Sequence, residues 1–176
     1  MTPLDRPTLD ESYSRAISSS HLTVLPGRCS VDYLIAVGWV RDGLGASLFR
    51  LRSEWDSNAT LRSMREASAR LGAFALQVAA RVGFRADTSA VREISGRALE
   101  LWLDPNCPMC NGRGYSGGFG VPLVLCTNCD ATGRRIHARG FRLARSDAGH
   151  DFGRCLVDEM DRKANFVVDS MRRYLR

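Results

Sequence analysis

Apolar residues recur at helical spacing along most of the chain after residue 30, and lose that spacing between 105 and 145. Ser30 precedes Val31, Leu34, Ile35 and Val37, a pattern that predicts a capped helix to about Asp42, broken by Gly43 and Gly45. The stretch Ala46 to Trp55 puts Leu48, Leu51 and Trp55 on one face. Ser57 or Asn58 can cap a third helix ending at Val82, with Leu61, Met64, Leu71, Val78 and Val82 as its stripe and Gly83 as its stop. Asp87 or Thr88 can cap a fourth, carrying Val91, Ile94, Ala98, Leu99 and Trp102. Asp104-Pro105 ends it, because the residue before proline disfavours the α region. From about residue 150 a last helix aligns Leu156, Met160, Ala164, Val167, Val168, Met171 and Leu175. The first 28 residues carry Pro3, Pro7, Pro26 and a serine run and show no stripe, which reads as a flexible arm with one short helix near Tyr13–Ser19.

The interruption between 105 and 145 has its own pattern. Glycines stand at 112, 114, 117, 118, 120 and 133, and four cysteines come in two pairs. Residues 121–125 and 135–141 have the apolar content of two strands of a short β-ribbon. The expected architecture is mainly α: a helical bundle with an inserted glycine-rich zinc-knuckle and β-ribbon module, and a long C-terminal helix. Residues 1–28 form the arm and 29–104 the helical body. Residues 105–145 form the zinc-binding module with its basic ribbon, and 146–176 form a helix packing on the body.

The cysteine spacing is Cys107-Pro-Met-Cys110, fifteen residues, then Cys126-Thr-Asn-Cys129. Two residues between cysteines make a turn that aims both sulfurs at one point. Two such turns supply the four soft ligands that one Zn²⁺ takes in a tetrahedron. With every position filled by protein, the ion is structural and leaves no site for an activated water. A redox dithiol needs one such pair in a βαβ setting, whereas an iron–sulfur cluster accepts the same thiolates and stays open as an alternative. His21, His137 and His150 read as ordinary surface or core histidines, and Cys29 and Cys155 as small buried apolar residues.

Composition narrows the partners. The chain has 176 residues, 44% hydrophobic and 25% charged, which fits one globular domain with a small module and excludes wholesale disorder. Twenty-five basic residues against nineteen acidic give +6. All the basic residues except Lys163 are arginine, the residue suited to forked phosphate contacts, although a GC-rich coding sequence gives the same bias. Between Cys107 and Arg145 six arginines face one acid, Asp130. Arg113, Arg134, Arg135, Arg139 and Arg142 are the candidate DNA contacts, with a solvated basic face as the plainer alternative. Helix, glycine turn and helix over residues 79–102 have the layout of a helix-turn-helix, or of any αα-hairpin. No apolar run of about 18 residues exists to span a membrane. Met1–Glu11, with Asp5, Asp10 and Glu11, lacks the apolar core of a secretory signal, so a cytoplasmic location is expected. Glycine-rich phosphate loops, nucleophile elbows and His-Glu-x-x-His are absent, and Asp158, Glu159 and Asp161 read as surface ion-pair partners. An enzyme with a small-molecule substrate is therefore not expected.

Cys107-Pro-Met-Cys110-Asn-Gly112-Arg-Gly114 resembles the knuckle of DnaJ-type zinc domains. Helices before the two knuckles and one long helix after them make the chain similar to the lambdoid-phage Q-type late antiterminators. A DnaJ-type chain brings four knuckles and a His-Pro-Asp tripeptide, neither of which occurs here. The second knuckle, Cys126-Thr-Asn-Cys129-Asp-Ala131-Thr-Gly133, departs from both patterns at Ala131, where glycine is expected. The resemblance implies a transcription regulator in the bacterial host cytoplasm. It would bind DNA and bacterial RNA polymerase and promote read-through of terminators, with one structural Zn²⁺ on Cys107, Cys110, Cys126 and Cys129. A zinc adaptor or chaperone module, and a free-standing nucleic-acid-binding repressor, are the alternatives.

Overall fold

A computed structural model describes residues 24–25, 28–29, 38, 40, 42–53, 57–118 and 121–174. In chain order its elements are β1 (Val24–Leu25), β2 (Arg28–Cys29), α1 (Gly43–Ser53), α2 (Ser57–Val82), α3 (Thr88–Leu103), β3 (Tyr115–Gly118), β4 (Val121–Leu125), a short 3₁₀ turn (Arg135–His137) and α4 (Asp147–Tyr174). The protein is thus mainly helical, with two small antiparallel hairpins among the described residues, β1–β2 and β3–β4. The arm over 1–28 and the helix over 30–42 fall mostly outside the described residues, as do Trp55 and the side chain of Cys29. Among the described residues no helix is long and apolar enough to cross a membrane.

The helix boundaries follow local chemistry. The Asp87 carboxylate caps α3 by accepting the Ala90 N–H at 2.6 Å. Gly83 closes α2 at φ +70°, and the Phe84 N–H donates back to the Ala79 carbonyl, a Schellman stop. The Ser146 hydroxyl accepts from the Gly149 N–H at the start of α4. Asp42 caps α1 through the Gly45 N–H at 2.9 Å.

The chain divides into two compact units, residues 1–71 with 159–176, and residues 72–158, with the divisions falling inside α2 and α4. In the first unit Val40, Ala46, Phe49, Val167 and Met171 form a buried cluster. α1 meets α4 closely there, since a Cβ on Gly45 would lie 2.7 Å from the Lys163 carbonyl and 2.9 Å from Val167. Lys163 Nζ reaches Asp42 at 2.7 Å, tying the α1 cap to α4. In the second unit Gly153 of α4 lets Leu143 and Ile94 approach, because a Cβ would meet them at 2.8 and 3.2 Å. Phe84 stacks on Phe152 with centroids 4.5 Å apart.

Three expectations need correction. The stripe of α2 is rotated from the one expected: Leu71 and Val78 are buried, but Leu61 and Val82 are exposed and Met64 is only half-buried. Ser63, Ala67, Ala75 and Ala79 take the inner positions, so small side chains line this face. Second, β4 pairs with Tyr115–Gly118, not with 135–141, which instead form a 3₁₀ turn and irregular chain. Backbone bonds from Arg135 N to the Pro105 carbonyl and from Arg139 N to the Asn128 carbonyl hold that segment against the knuckles, and it pairs with no strand among the described residues. Third, Cys155 is half-buried, and Glu159 is buried while it pairs with Arg162 at 3.1 Å.

Candidate metal centre

The two knuckles are built alike. In each, the N–H of the glycine four residues past the second cysteine donates to that cysteine's sulfur: Gly114 to Cys110 at 3.3 Å, and Gly133 to Cys129 at 3.2 Å. The N–H one residue earlier, Arg113 or Thr132, donates to the carbonyl of the same cysteine at 3.0 Å. Each knuckle then grips the other. The Cys126 N–H donates to the Gly114 carbonyl at 2.9 Å, and the Cys107 N–H to the Gly133 carbonyl at 2.8 Å. The correspondence pairs Cys107 with Cys126, Cys110 with Cys129, residue 112 with 131, and Gly114 with Gly133.

That correspondence explains the glycines. A Cβ on Gly114 would fall 2.3 Å from the Ala131 carbonyl oxygen, and a Cβ on Gly133 would fall 2.3 Å from the Gly112 carbonyl oxygen. Their φ values are +76° and +72°, in the left-handed region that glycine enters freely. Asn111 and Gly112 turn at +50° and +80°, and Asp130 and Ala131 repeat the turn at +48° and +62°. Ala131 therefore adopts the conformation that glycine holds in the first knuckle, and the departure from the repeat leaves the backbone path intact.

The result is a buried cluster of four sulfurs, all within 4.8 Å of one another. A tetrahedral ion with metal–sulfur bonds of about 2.3 Å requires sulfur–sulfur edges of about 3.8 Å. Cys110 Sγ and Cys129 Sγ stand 3.8 Å apart. The donor set, its spacing and its burial thus fit one metal ion held by Cys107, Cys110, Cys126 and Cys129. The surroundings act in opposite directions on Cys107 and Cys129. Burial pushes the Cys107 thiol up, but the Asn128 amide, which donates to its sulfur at 3.3 Å, and the N–H groups of Cys110 and Met109 outweigh it and bring it down to about 6. Cys129 is pushed up to about 11 by burial and by the neighbouring sulfurs, against the Gly133 N–H that lowers it. Crowded sulfurs of this kind resist sharing negative charge unless a cation sits among them.

The arginines expected to contact nucleic acid do not form a ribbon. Arg113 is exposed, with its Nε donating to the Cys110 carbonyl at 3.2 Å. Arg134 is exposed beside the isolated bridge between its backbone and Asn106. Arg135 lies 3.4 Å from Asp104 and 5.5 Å above the Phe141 ring. Arg139 stands 3.9 Å from Asp130, and Arg142 pairs with Asp147. Arg113 and Arg134 have no carboxylate partner among the described residues, whereas Arg135, Arg139 and Arg142 each have one. His137 is exposed on the 3₁₀ turn and lies outside the sulfur cluster.

Sequence reasoning did not find the apolar surface beside the centre. Leu123, Val124 and Leu125 of β4 are 58–70% exposed, and Met109 on the first knuckle is 72% exposed. The run Val121-Pro-Leu-Val-Leu125 carried the signal, as consecutive apolar residues with no alternation cannot all turn inward from a two-stranded hairpin. No family model, curated protein or solved structure matches the chain.

Proposed function

We propose that the chain is a zinc-dependent, DNA-binding transcription regulator of the late-antiterminator type. It would act with bacterial RNA polymerase in the cytoplasm to carry transcription through terminators. The observation that supports this reading best is a closed, buried four-sulfur centre set in a cationic module. The zinc would be structural, since four protein sulfurs complete its coordination and leave no open position for catalysis. The ion would fix Arg113 and Arg134 on either side of the linked knuckles as exposed guanidinium groups available to phosphate. Arg135, Arg139 and Arg142 would join them by exchanging exposed carboxylate partners for phosphates, a small loss because exposed ion pairs contribute about 0–1 kcal/mol.

Binding of duplex DNA as a function of salt tests the electrostatic part. Each phosphate contact adds about 0.9 to the slope of log K against log salt. Arg113→Gln with Arg134→Gln should lower that slope by about two units and weaken binding of every sequence alike. An unchanged slope with native zinc content would remove these residues from the interface. Capture of stoichiometric polymerase subunits from nuclease-treated bacterial lysate, followed by a terminator read-through assay, tests the rest.

A zinc adaptor that docks on protein is the second reading, favoured by the exposed Met109, Leu123, Val124 and Leu125. It expects Leu123→Ser with Leu125→Ser to abolish partner capture while leaving DNA binding untouched.

A further inference from the structure

The second unit contains a cleft of about 790 Å³, open to solvent on one side and of a size seen for small-ligand sites, about 300–1,000 Å³. Its accessible apolar wall is Val82, Phe84, Ala86 and Ala90, backed by the buried Ile94, Leu143 and Phe152, the last stacked on Phe84. Charge is confined to a few places on the wall. Arg97 is neutralised by Glu93 at 2.8 Å. Arg85 and Arg145 face the same cleft with no ion-pair partner among the described residues. Asp151 is the remaining carboxylate on the wall. Ser146 and Ala148, at the positive end of the 28-residue helix α4, complete that side. An apolar wall beside two unpaired guanidinium groups and a helix N-terminus selects a ligand with an apolar body and one anionic head.

We infer that this cleft is a binding site for an amphipathic organic anion, an aliphatic or aromatic carboxylate or similar acid, whose apolar body lies against Val82, Phe84 and Ala90 while Arg85 and Arg145 hold its charge. The site is separate from the sulfur cluster and stands independently of the proposed DNA role. Cys155 lines the same cleft and gives a local reporter of occupancy.

The test uses the full zinc-loaded chain with 1-anilinonaphthalene-8-sulfonate as fluorescent probe and decanoate as competitor. One probe per chain should bind and be displaced by decanoate. Arg85→Gln with Arg145→Gln should weaken decanoate about tenfold, since each charge-assisted bond is among the stronger hydrogen bonds. Asp151→Asn should tighten it about two- to threefold, the opposite sign, by removing the one repelling carboxylate. Ala90→Trp, which fills the cleft from α3, should abolish binding with the helical circular dichroism unchanged. Decanoate should also slow iodoacetamide labelling of Cys155, read by peptide mass. Three results would overturn the inference: binding that survives Ala90→Trp in a folded protein, decanol competing as well as decanoate, or loss of binding in Leu125→Ser, which would place the probe on the exposed hairpin.

Discussion

Replacing Gly114 by alanine should weaken metal binding at the four-sulfur cluster about a hundredfold, read with zinc as the probe ion. The added Cβ would stand 2.3 Å from the Ala131 carbonyl oxygen, an atom of the opposite knuckle's backbone that cannot swing away like a side chain. At φ +76° alanine also pays about 1–2 kcal/mol for the left-handed conformation. Relieving the contact means separating the knuckles, which strains the 2.9 Å bond from Cys126 N to the Gly114 carbonyl and the 3.3 Å bond from Gly114 N to Cys110 Sγ. Each such bond contributes about 0.5–1.5 kcal/mol. The total is about 3 kcal/mol, or two decades in affinity at about 1.4 kcal/mol per decade. Gly133→Ala meets the Gly112 carbonyl at the same 2.3 Å and should match it. Ala131→Gly should go the other way. It relieves about 1–2 kcal/mol of left-handed strain and returns about 0.4–1 kcal/mol as added freedom of the unfolded chain. The net is about threefold to fivefold tighter binding. The assay is competition for zinc against a chromophoric chelator of known affinity, with circular dichroism to confirm the helices. Gly114→Ala binding within threefold of the parent chain would refute the account of interlocked knuckles.

Three further outcomes follow from the same geometry. Chelation, or Cys110→Ser, should unfold the module over residues 105–140, because an ion contributing about 10–16 kcal/mol in small modules is part of their folding energy; hydrogen exchange should rise there while α1 stays protected. Gly45→Ala should lower stability by about 2–3 kcal/mol in chemical denaturation, since its Cβ would press the Lys163 backbone at 2.7 Å. Burial raises the Asp42 carboxyl, but the Gly45 N–H and Lys163 outweigh it and hold the group below its ordinary 3.8, so its stabilisation is present above that value and lost as pH falls through the lower folded one. Asp42→Asn should therefore cost about 1 kcal/mol at pH 7, with the difference from the parent chain closing below about pH 4; a constant difference down to pH 2 would contradict this.

What the chain's pattern made legible depends on whether the signal was local. The clustering of the four sulfurs was readable because each knuckle is a single turn that aims its two cysteines at one point, and Asp87 and Gly83 mark helix ends for the same local reason. The strand partner of β4 was not, because Tyr115-Ser-Gly-Gly118 has little strand propensity and is held by a ladder that the knuckles impose on it. The α2 stripe was misplaced because apolar size was taken to mark the core. Ala67, Ala75 and Ala79 are buried although they are small, so size alone does not mark the inner face. Ala131 makes the same point at the metal centre. By residue type it breaks the glycine repeat, yet its φ of +62° keeps the turn. What the second knuckle needs at that position is a conformation, which glycine supplies easily and alanine at a cost. The position where contact forbids any side chain is Gly114 and its counterpart Gly133. The two kinds of glycine look identical in the motif and separate only when the opposite knuckle's carbonyl is in place, which is why their substitutions carry opposite signs.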